Sequence, residues 1–236
     1  MILAAVAADF GSIMLPLIAQ AQVSQPEAQV IALEGLLGKQ AGFRRSQAKG
    51  VCASGYFVGN AVGRALSSAS VFKGDRIPVV ARFSVGGGNP KTSDKGRSVR
   101  GLSLQFTLPN GEQWLTANIS APMYFVAKPE QFAPFLQVRT ADPTTPVSFD
   151  FKVQLGEKDD QLTDSTKVWP DSRKVTSVGK LVIDKVEAAA GGACDKITFS
   201  PLVLPKGMKP SADPVLLARP APYAVSLGRR LTEATN

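Results

Sequence analysis

Three residues near the C-terminus have the types and spacing to hold a metal cofactor. Arg219 lies four residues before Tyr223, and Arg230 lies seven residues after it, so a helix through this segment places all three on one face. A cation one turn from a phenol favours the phenolate, which is the form in which tyrosine binds a metal ion. The same spacing also fits a tyrosine packed at the edge of the core with arginine stems beside it. Spacing alone leaves both interpretations open.

Prolines define the helices that must position these residues. Asp213 and Pro214 open a short helix, and Pro220 and Pro222 prevent it from continuing because proline lacks an amide hydrogen and clashes with the preceding turn. Proline is tolerated in the first turn of a helix. A second helix is therefore predicted over residues 219–231.

Two further helices are predicted upstream. Residues 26–37 carry apolar side chains at helical spacing, with Ser24 as a candidate N-cap and Gly38 as the stop. A helix bent by Pro134 is predicted over residues 129–139.

Strand-like runs, separated by turn signals such as Pro109-Asn110-Gly111, make up most of the middle of the chain. Their spacing is mostly that of antiparallel strands, which favours an α+β fold built on a barrel or sandwich with flanking helices. The predicted strands are residues 52–58, 77–85, 101–108, 113–119, 147–155 and 178–186.

Composition predicts a single globular domain over residues 24–236, because 44% hydrophobic and 19% charged residues in a chain of 236 can bury one sizeable core. The net charge of +8 indicates affinity for anions such as nucleic acid, a membrane surface or an anionic cofactor. The basic residues are scattered and aromatic residues are few, so nucleic-acid binding is disfavoured. Most of the excess charge is interpreted as solvated surface.

The chain has no histidine, which excludes a Ser-His-Asp or Cys-His catalytic unit and a histidine-ligated zinc or haem. Its two cysteines, Cys52 and Cys194, cannot form a metal cage by themselves. They are either two buried thiols or one disulfide.

Residues 1–21 have some features of a signal peptide. They are apolar and end in Ala19-Gln20-Ala21, the small-x-small pattern of a cleavage site, but the usual basic start is missing and Asp9 interrupts the run. Asp9 also leaves the run too short for a stable membrane span. A periplasmic location is predicted, with a cytoplasmic one as the alternative, and export would favour a Cys52–Cys194 disulfide.

A set of short motifs occurs in order along the chain: RRSQAKG (44–50), VVARFS (79–84), RSVRG (97–101), SAPMYF (120–125), TKVWP (166–170), VGKLV (178–182) and RPAPYAVSLGRR (219–230). Together they resemble the motifs of the catalase-related haem peroxidases. The last of them is similar to the proximal haem helix of that family. The resemblance covers almost everything between residues 42 and 231.

The resemblance implies a haem b whose iron is ligated by Tyr223, with Arg219 stabilising the tyrosinate. It assigns further contacts with the haem, including those with its propionates, to Arg44, Arg82, Phe132 and Arg230. Guanidinium groups suit carboxylates, so the basic composition gains a partial explanation. The implied function is reduction of hydrogen peroxide or organic peroxides with an unknown reductant, in a chain that could form a homo-oligomer.

Two positions depart from the family pattern in the distal part of the site. Gln47 stands where the family has its distal histidine, and Ser120 stands where it has an asparagine. Glutamine cannot take up a proton, so the general acid–base contribution of about 10²–10⁴ in rate is expected to be missing. Ser120 and Asn118 could orient a peroxide by hydrogen bonding, and Ser84 is expected to bond the Gln47 amide.

A second departure is a shortened segment near residues 143–147, where the family carries several more elements. A small closed barrel takes about eight strands, so the predicted strands leave an incomplete barrel whose edges need a partner subunit or a rearranged closure. Three hypotheses follow: a haem peroxidase, a haem-binding pseudoenzyme without useful turnover, and a degenerate family remnant without haem.

Overall fold

The computed structural model describes residues 24–95, 98–120, 146–164, 167–187 and 192–233. Within these ranges the helices are α1 (Gln25–Leu37), α2 (Ala61–Leu66), α3 (Pro214–Ala218) and α4 (Pro220–Glu233), with 3-10 turns at Ser70–Phe72 and Ala193–Lys196. The strands are β1 (Gly50–Gly59), β2 (Arg76–Val85), β3 (Arg100–Thr107), β4 (Gln113–Ile119), β5 (Val147–Gln154) and β6 (Val175–Val186).

The six predicted strands are confirmed, as are the helices predicted near the two ends of the chain. Asp213 caps α3 by accepting a hydrogen bond from the Leu216 amide at 2.9 Å, and Gly38 ends α1 with a φ of +82°. Ser24 is the N-cap residue of α1, as predicted, and its carbonyl accepts the first helical hydrogen bond, from the Ala28 amide at 2.9 Å. Its hydroxyl lies 3.1 Å from the Glu27 carboxylate and makes no cap hydrogen bond to the helix amides. The predicted leader at residues 1–21 and the predicted helix at 129–139 lie outside the described residues.

The described strands form one antiparallel sheet in the order β4-β3-β2-β1-β6-β5, curled into a half-barrel. β1 occupies the interior of this order and pairs with β2 on one side and β6 on the other. The structure therefore has the α+β class and the incomplete barrel core that the sequence predicted. Assembly into a homo-oligomer stays a prediction.

One face of the sheet carries the main hydrophobic core. The Phe57 ring packs edge-to-face against Phe106 and Phe151, with centroids 5.5 Å away in both cases. A side chain at Gly179 would collide with the Phe57 ring, so glycine is required there for close packing. Because side chains alternate along a strand, the residues between these core positions face the opposite side, where α1 and α4 pack.

Arg45 is buried and joins three parts of the chain on that opposite side. Its guanidinium donates to Glu34 on α1 at 2.6 Å, to Glu233 at the end of α4 and to the Phe43 carbonyl at 2.8 Å. Arg229 on α4 also donates to Glu34 at 2.9 Å. Such charge-assisted bonds are strong when their partners are fixed and partly desolvated. They hold α1, the loop after it and α4 together.

We expect Glu233→Gln to lower the free energy of unfolding at pH 7 by about 1.5–3 kcal/mol, the range for a hydrogen bond to a charged group. Hydrogen bonds from Arg45, which has the largest effect, and from Lys39 and the Gly42 amide lower the pKa of Glu233 from 4.5 to about 2. A depressed carboxyl pKa stabilises the fold above the ordinary pKa, and this stabilisation is lost as pH falls from about 4.5 towards 2. As pH falls from about 4.5 towards 2, the free energy of unfolding should therefore decrease less in Glu233→Gln than in the parent.

Urea unfolding at a series of pH values measures this difference. Asp184→Asn is the matched control, because Asp184 is exposed on β6 and the substitution removes the same charge. Parallel pH profiles for the parent and Glu233→Gln would contradict the assigned ion pair.

Candidate functional site

A cavity of about 230 Å³ lies between the sheet and the helices α1 and α4. Its walls come from α1, from the loop that precedes β1, from the strands β2 to β4, from Thr198 and Phe199, and from the residues around α4. All the elements that the sequence predicted to carry chemistry, within the described residues, thus meet at one place.

The sheet wall of the cavity includes Arg82, Ser103 and Ala117, which lie in one row across neighbouring strands. Cys52 on β1 pairs with Arg82 on β2, Arg82 pairs with Ser103 on β3, and Ser103 pairs with Ala117 on β4. Paired residues in neighbouring strands project to the same face. The alternation that buries the aromatic core on one face therefore aims Arg82 at the cavity on the other.

The C-terminal helix supplies the opposite wall. Arg219, Tyr223 and Arg230 all line the cavity, which confirms the shared face predicted from their spacing. The Arg219 Nη2 donates a hydrogen bond to Tyr223 Oη, and the guanidinium lies 5.4 Å from the ring centroid. This hydrogen bond fixes the position of the phenolic oxygen, an atom of a type that can ligate a metal ion.

Three arginines converge on the same cavity from different elements. Arg44 donates through Nη2 to the carbonyls of Cys194 and Ile197 at 3.1 and 2.9 Å. Arg82 lies 3.5 Å from the Asp195 carboxylate, and Arg230 donates to the Asp195 carbonyl at 2.9 Å. Arg82 and Arg230 are only 4% and 7% exposed.

This arginine cluster (Arg44, Arg82 and Arg230) brings three guanidinium groups to one side of the cavity, next to the carboxylate of Asp195. Burial, together with the neighbouring charges of Arg82 and Arg230, lowers the pKa of Arg44 to about 9. The Nε atoms of Arg44 and Arg230 are buried without a hydrogen-bond partner. A buried donor without a partner is costly, so the cluster has the chemistry of a site for an anionic ligand.

Gln47 lines the cavity, and Ser84, which is not among its described lining residues, contacts the Gln47 side chain. The Ser84 hydroxyl lies 2.5 Å from Gln47 Oε1, which is the contact predicted between these residues. Gly101 leaves room for the pair, since a Cβ at this position would collide with both side chains. Gln47 has a φ of +143°, an uncommon conformation outside glycine that costs on the order of 1–3 kcal/mol. The fold thus holds this amide in place against local strain.

Other predicted site residues have different surroundings. The Ser120 hydroxyl accepts a hydrogen bond from the Arg100 amide at 2.8 Å, and Ser120 is absent from the described residues that line the cavity. Asn118 is in the cavity wall, but its amide donates to Thr116 Oγ1 and to the Leu102 carbonyl. Phe132 lies outside the described residues.

Two contributors went unnoticed in the sequence. Asp195 contacts Arg82 and Arg230, and the Phe199 ring lies 5.7 Å from the Arg44 guanidinium. Both follow Cys194, which forms a disulfide with Cys52. That pairing was the available signal, because it brings the residues after Cys194 next to β1 and β2.

Comparison with known proteins assigns the chain to a family. The Catalase family model matches residues 40–158 and 148–236, well over half of the chain. The chain belongs to the catalase family.

Relatives of the chain include smaller peroxidases. A catalase-related peroxidase of Synechococcus elongatus is 28% identical over 299 residues, covering 87% of this chain and 88% of that protein. One from Mycolicibacterium paratuberculosis is 23% identical over 296 residues, covering 87% and 94%. These relatives support a function of the catalase or peroxidase type, and hence an oxidoreductase.

Solved catalases share the fold. The crystal structure of a fungal catalase matches with a TM-score of 0.65 at 16% identity, over 98% of this chain and 66% of that chain. Catalase A from Saccharomyces cerevisiae matches with a TM-score of 0.64 at 17% identity, over 98% and 68%. The catalase-family chain described here thus spans about two thirds of these larger catalases.

In its described ranges, none of its helices is both long and apolar enough to cross a bilayer.

We expect Gly101→Ala to lower the free energy of unfolding by about 1–3 kcal/mol, the usual cost of overpacking. The new methyl group would collide with Gln47 and Ser84 and force their side chains apart. Chemical denaturation measures the loss. In the control Gly35→Ala, the methyl group meets no atom within 4 Å and lies in a helix, where alanine is favoured by about 0.5–1 kcal/mol. Equal stability of the two variants would show that the space at Gly101 is not needed.

Proposed function

We propose that this catalase-family chain is a haem-dependent peroxidase that reduces hydrogen peroxide or small organic peroxides with an external reductant. The observation that carries the proposal is the convergence of Tyr223, bonded to Arg219, and the arginine cluster on one cavity. A tyrosine oxygen is the haem ligand in catalase. A haem also brings two carboxylates, which guanidinium groups bind well.

The donor set fits this cofactor. Tyr223 offers an oxygen ligand that is held by a hydrogen bond from Arg219, and the unpartnered Nε atoms of Arg44 and Arg230 offer hydrogen bonds to carboxylates. A remnant without a ligand would keep these buried donors and charges uncompensated, at a cost in stability. The chemistry of the site therefore favours a cofactor-binding protein over a degenerate family remnant without haem.

The cavity must widen to hold a haem. A cavity of about 230 Å³ is smaller than the roughly 300–1,000 Å³ of most pockets for organic ligands. Val30 and Leu33 of α1 form part of its wall, and α1 is joined to α4 through the side chains of Arg45 and Arg229. We expect α1 to move outward when the cofactor binds, because the opposite wall is a hydrogen-bonded sheet.

When bound, haem would supply the redox-active iron that exchanges electrons with peroxide. The chain's own residues would hold and orient the reactants. Gln47 Oε1 is occupied by the Ser84 hydroxyl, so the amide nitrogen is the end of Gln47 left to donate to a peroxide oxygen. Neither group titrates near neutral pH, so neither can carry a proton from one peroxide oxygen to the other.

This limitation favours a second candidate function. A site that donates a hydrogen bond but accepts no proton suits binding of a ligand at haem better than rapid cleavage of an O–O bond. The chain would then be a haem-binding protein with slow turnover. The Gln47–Ser84 pair is the observation that favours it.

We also propose that the protein works in an oxidising compartment, the periplasm. The Cys52–Cys194 disulfide supports this proposal, because disulfides persist in such compartments and are rare in the cytosol.

We expect Tyr223→Phe to lose the absorption spectrum of high-spin ferric haem with a tyrosinate ligand, since the ligand oxygen is removed. Tyr56→Phe is the matched control, because Tyr56 stacks with Arg76 away from the cavity. Absorption spectra of both variants after reconstitution with haem make the comparison. An unchanged spectrum in Tyr223→Phe would remove Tyr223 as the ligand.

We expect Gln47→His to increase the rate of peroxide-dependent oxidation of a chromogenic donor by about 10² or more, the lower end of general acid–base contributions. Ser84 is placed to hold the imidazole as it holds the amide. Gln47→Leu controls for a change of shape without a titrating group. A histidine variant that binds haem normally and shows no increase would mean that position 47 does not face the reacting oxygen.

A further inference from the structure

The arginine cluster rests on one short stretch of backbone. We call residues 194–197 the rim segment. Its Cys194 and Ile197 carbonyls accept from Arg44, its Asp195 carbonyl accepts from Arg230, and the Asp195 carboxylate lies 3.5 Å from Arg82. Three side chains from a loop, a strand and a helix are thus oriented by the same few residues.

A disulfide ties the rim segment to the sheet. Cys194 is bonded to Cys52, which is 142 residues away in sequence, and both are almost completely buried. Cys52 is also the direct partner of Arg82 in the pairing of β1 with β2. The disulfide therefore joins the first residue of the rim segment to the strand residue that pairs with Arg82.

Arginine side chains lose about 2 kcal/mol of rotamer entropy when they are fixed. Carbonyl groups held in place before a ligand arrives reduce this cost at the moment of binding. The three guanidinium groups also repel one another, since the charges of Arg82 and Arg230 both disfavour the charged form of Arg44. A rim segment that was free to move would let them separate.

We propose that the Cys52–Cys194 disulfide positions the arginine cluster for the carboxylates of the bound cofactor. The inference rests on the proposed haem function. Cys52 and Cys194 are positioning residues, because they act through the rim segment and the arginines that it orients. The expected consequence is selective: the disulfide strengthens binding of the carboxylates rather than of the porphyrin ring.

The experiment compares ferric haem with its dimethyl ester, in which both carboxylates are uncharged. Dissociation constants for each are measured by absorbance titration in one detergent-containing buffer, for the parent chain and for Cys52→Ala combined with Cys194→Ala. We expect the parent to prefer haem over the ester by about tenfold or more, since one charge-assisted hydrogen bond contributes this much. The double variant should lose most of that preference.

A variant in the hydrophobic core distinguishes a loss of the positioning role from a general loss of stability. Loss of a disulfide that closes a long loop destabilises the whole fold, and Ile183→Ala does so from the buried core on the other face of the sheet. Ile183→Ala should keep the parent's preference for haem over the ester. Circular dichroism checks that each variant is folded during the titration.

The outcomes distinguish the two proposals. Equal weakening of both ligands in the cysteine variant, with the preference unchanged, would overturn the positioning role and leave the haem function standing. A parent chain that binds both ligands equally would also overturn it, because the arginines would then not hold the carboxylates. A parent that binds neither ligand would contradict the haem function, and the positioning role would fail with it.

Discussion

Burial of three like charges is the constraint on which the rest of the site depends. Arg44, Arg82 and Arg230 meet at the cavity, where two buried Nε atoms lack partners and the Asp195 carboxylate offers partial compensation. Burying like charges together, and burying a donor atom without a hydrogen-bond partner, both cost free energy. The proposed haem, with its two carboxylates, would offset this cost, which is why these residues support both a binding site and an anionic ligand for it.

Several features of the fold hold the arginine cluster in place. Alternation along β2 puts Arg82 on the face opposite the aromatic core, and the Arg45 ion pairs hold α4, with Arg230, against α1. The disulfide fixes the carbonyls that orient the guanidinium groups. At another side of the cavity, the strained backbone of Gln47 holds its side-chain amide against the Ser84 hydroxyl.

Local patterns were enough to predict the strands, the two terminal helices, the shared face of Arg219, Tyr223 and Arg230, and the Gln47–Ser84 contact. Each depends on alternation, on proline positions or on a resemblance between short motifs. Contacts that follow from no local pattern or motif could not be predicted. Arg45 is adjacent to Arg44, yet its guanidinium bonds to Glu34 and Glu233. Asp195 lies at the site because the preceding residue, Cys194, forms a disulfide with Cys52, 142 residues away. The Ser120 hydroxyl contacts the Arg100 amide, a pairing set by the register of β3 and β4.

The central claim is that this cavity binds one haem through a tyrosine oxygen and the arginine cluster. A crystal structure of the chain grown with stoichiometric ferric haem tests it most directly. The account predicts density for one haem in the cavity, with Tyr223 Oη on the iron and the haem carboxylates on Arg44, Arg82 and Arg230. Haem bound elsewhere on the chain, or a cavity closed by α1 with the arginine cluster unchanged, would contradict it.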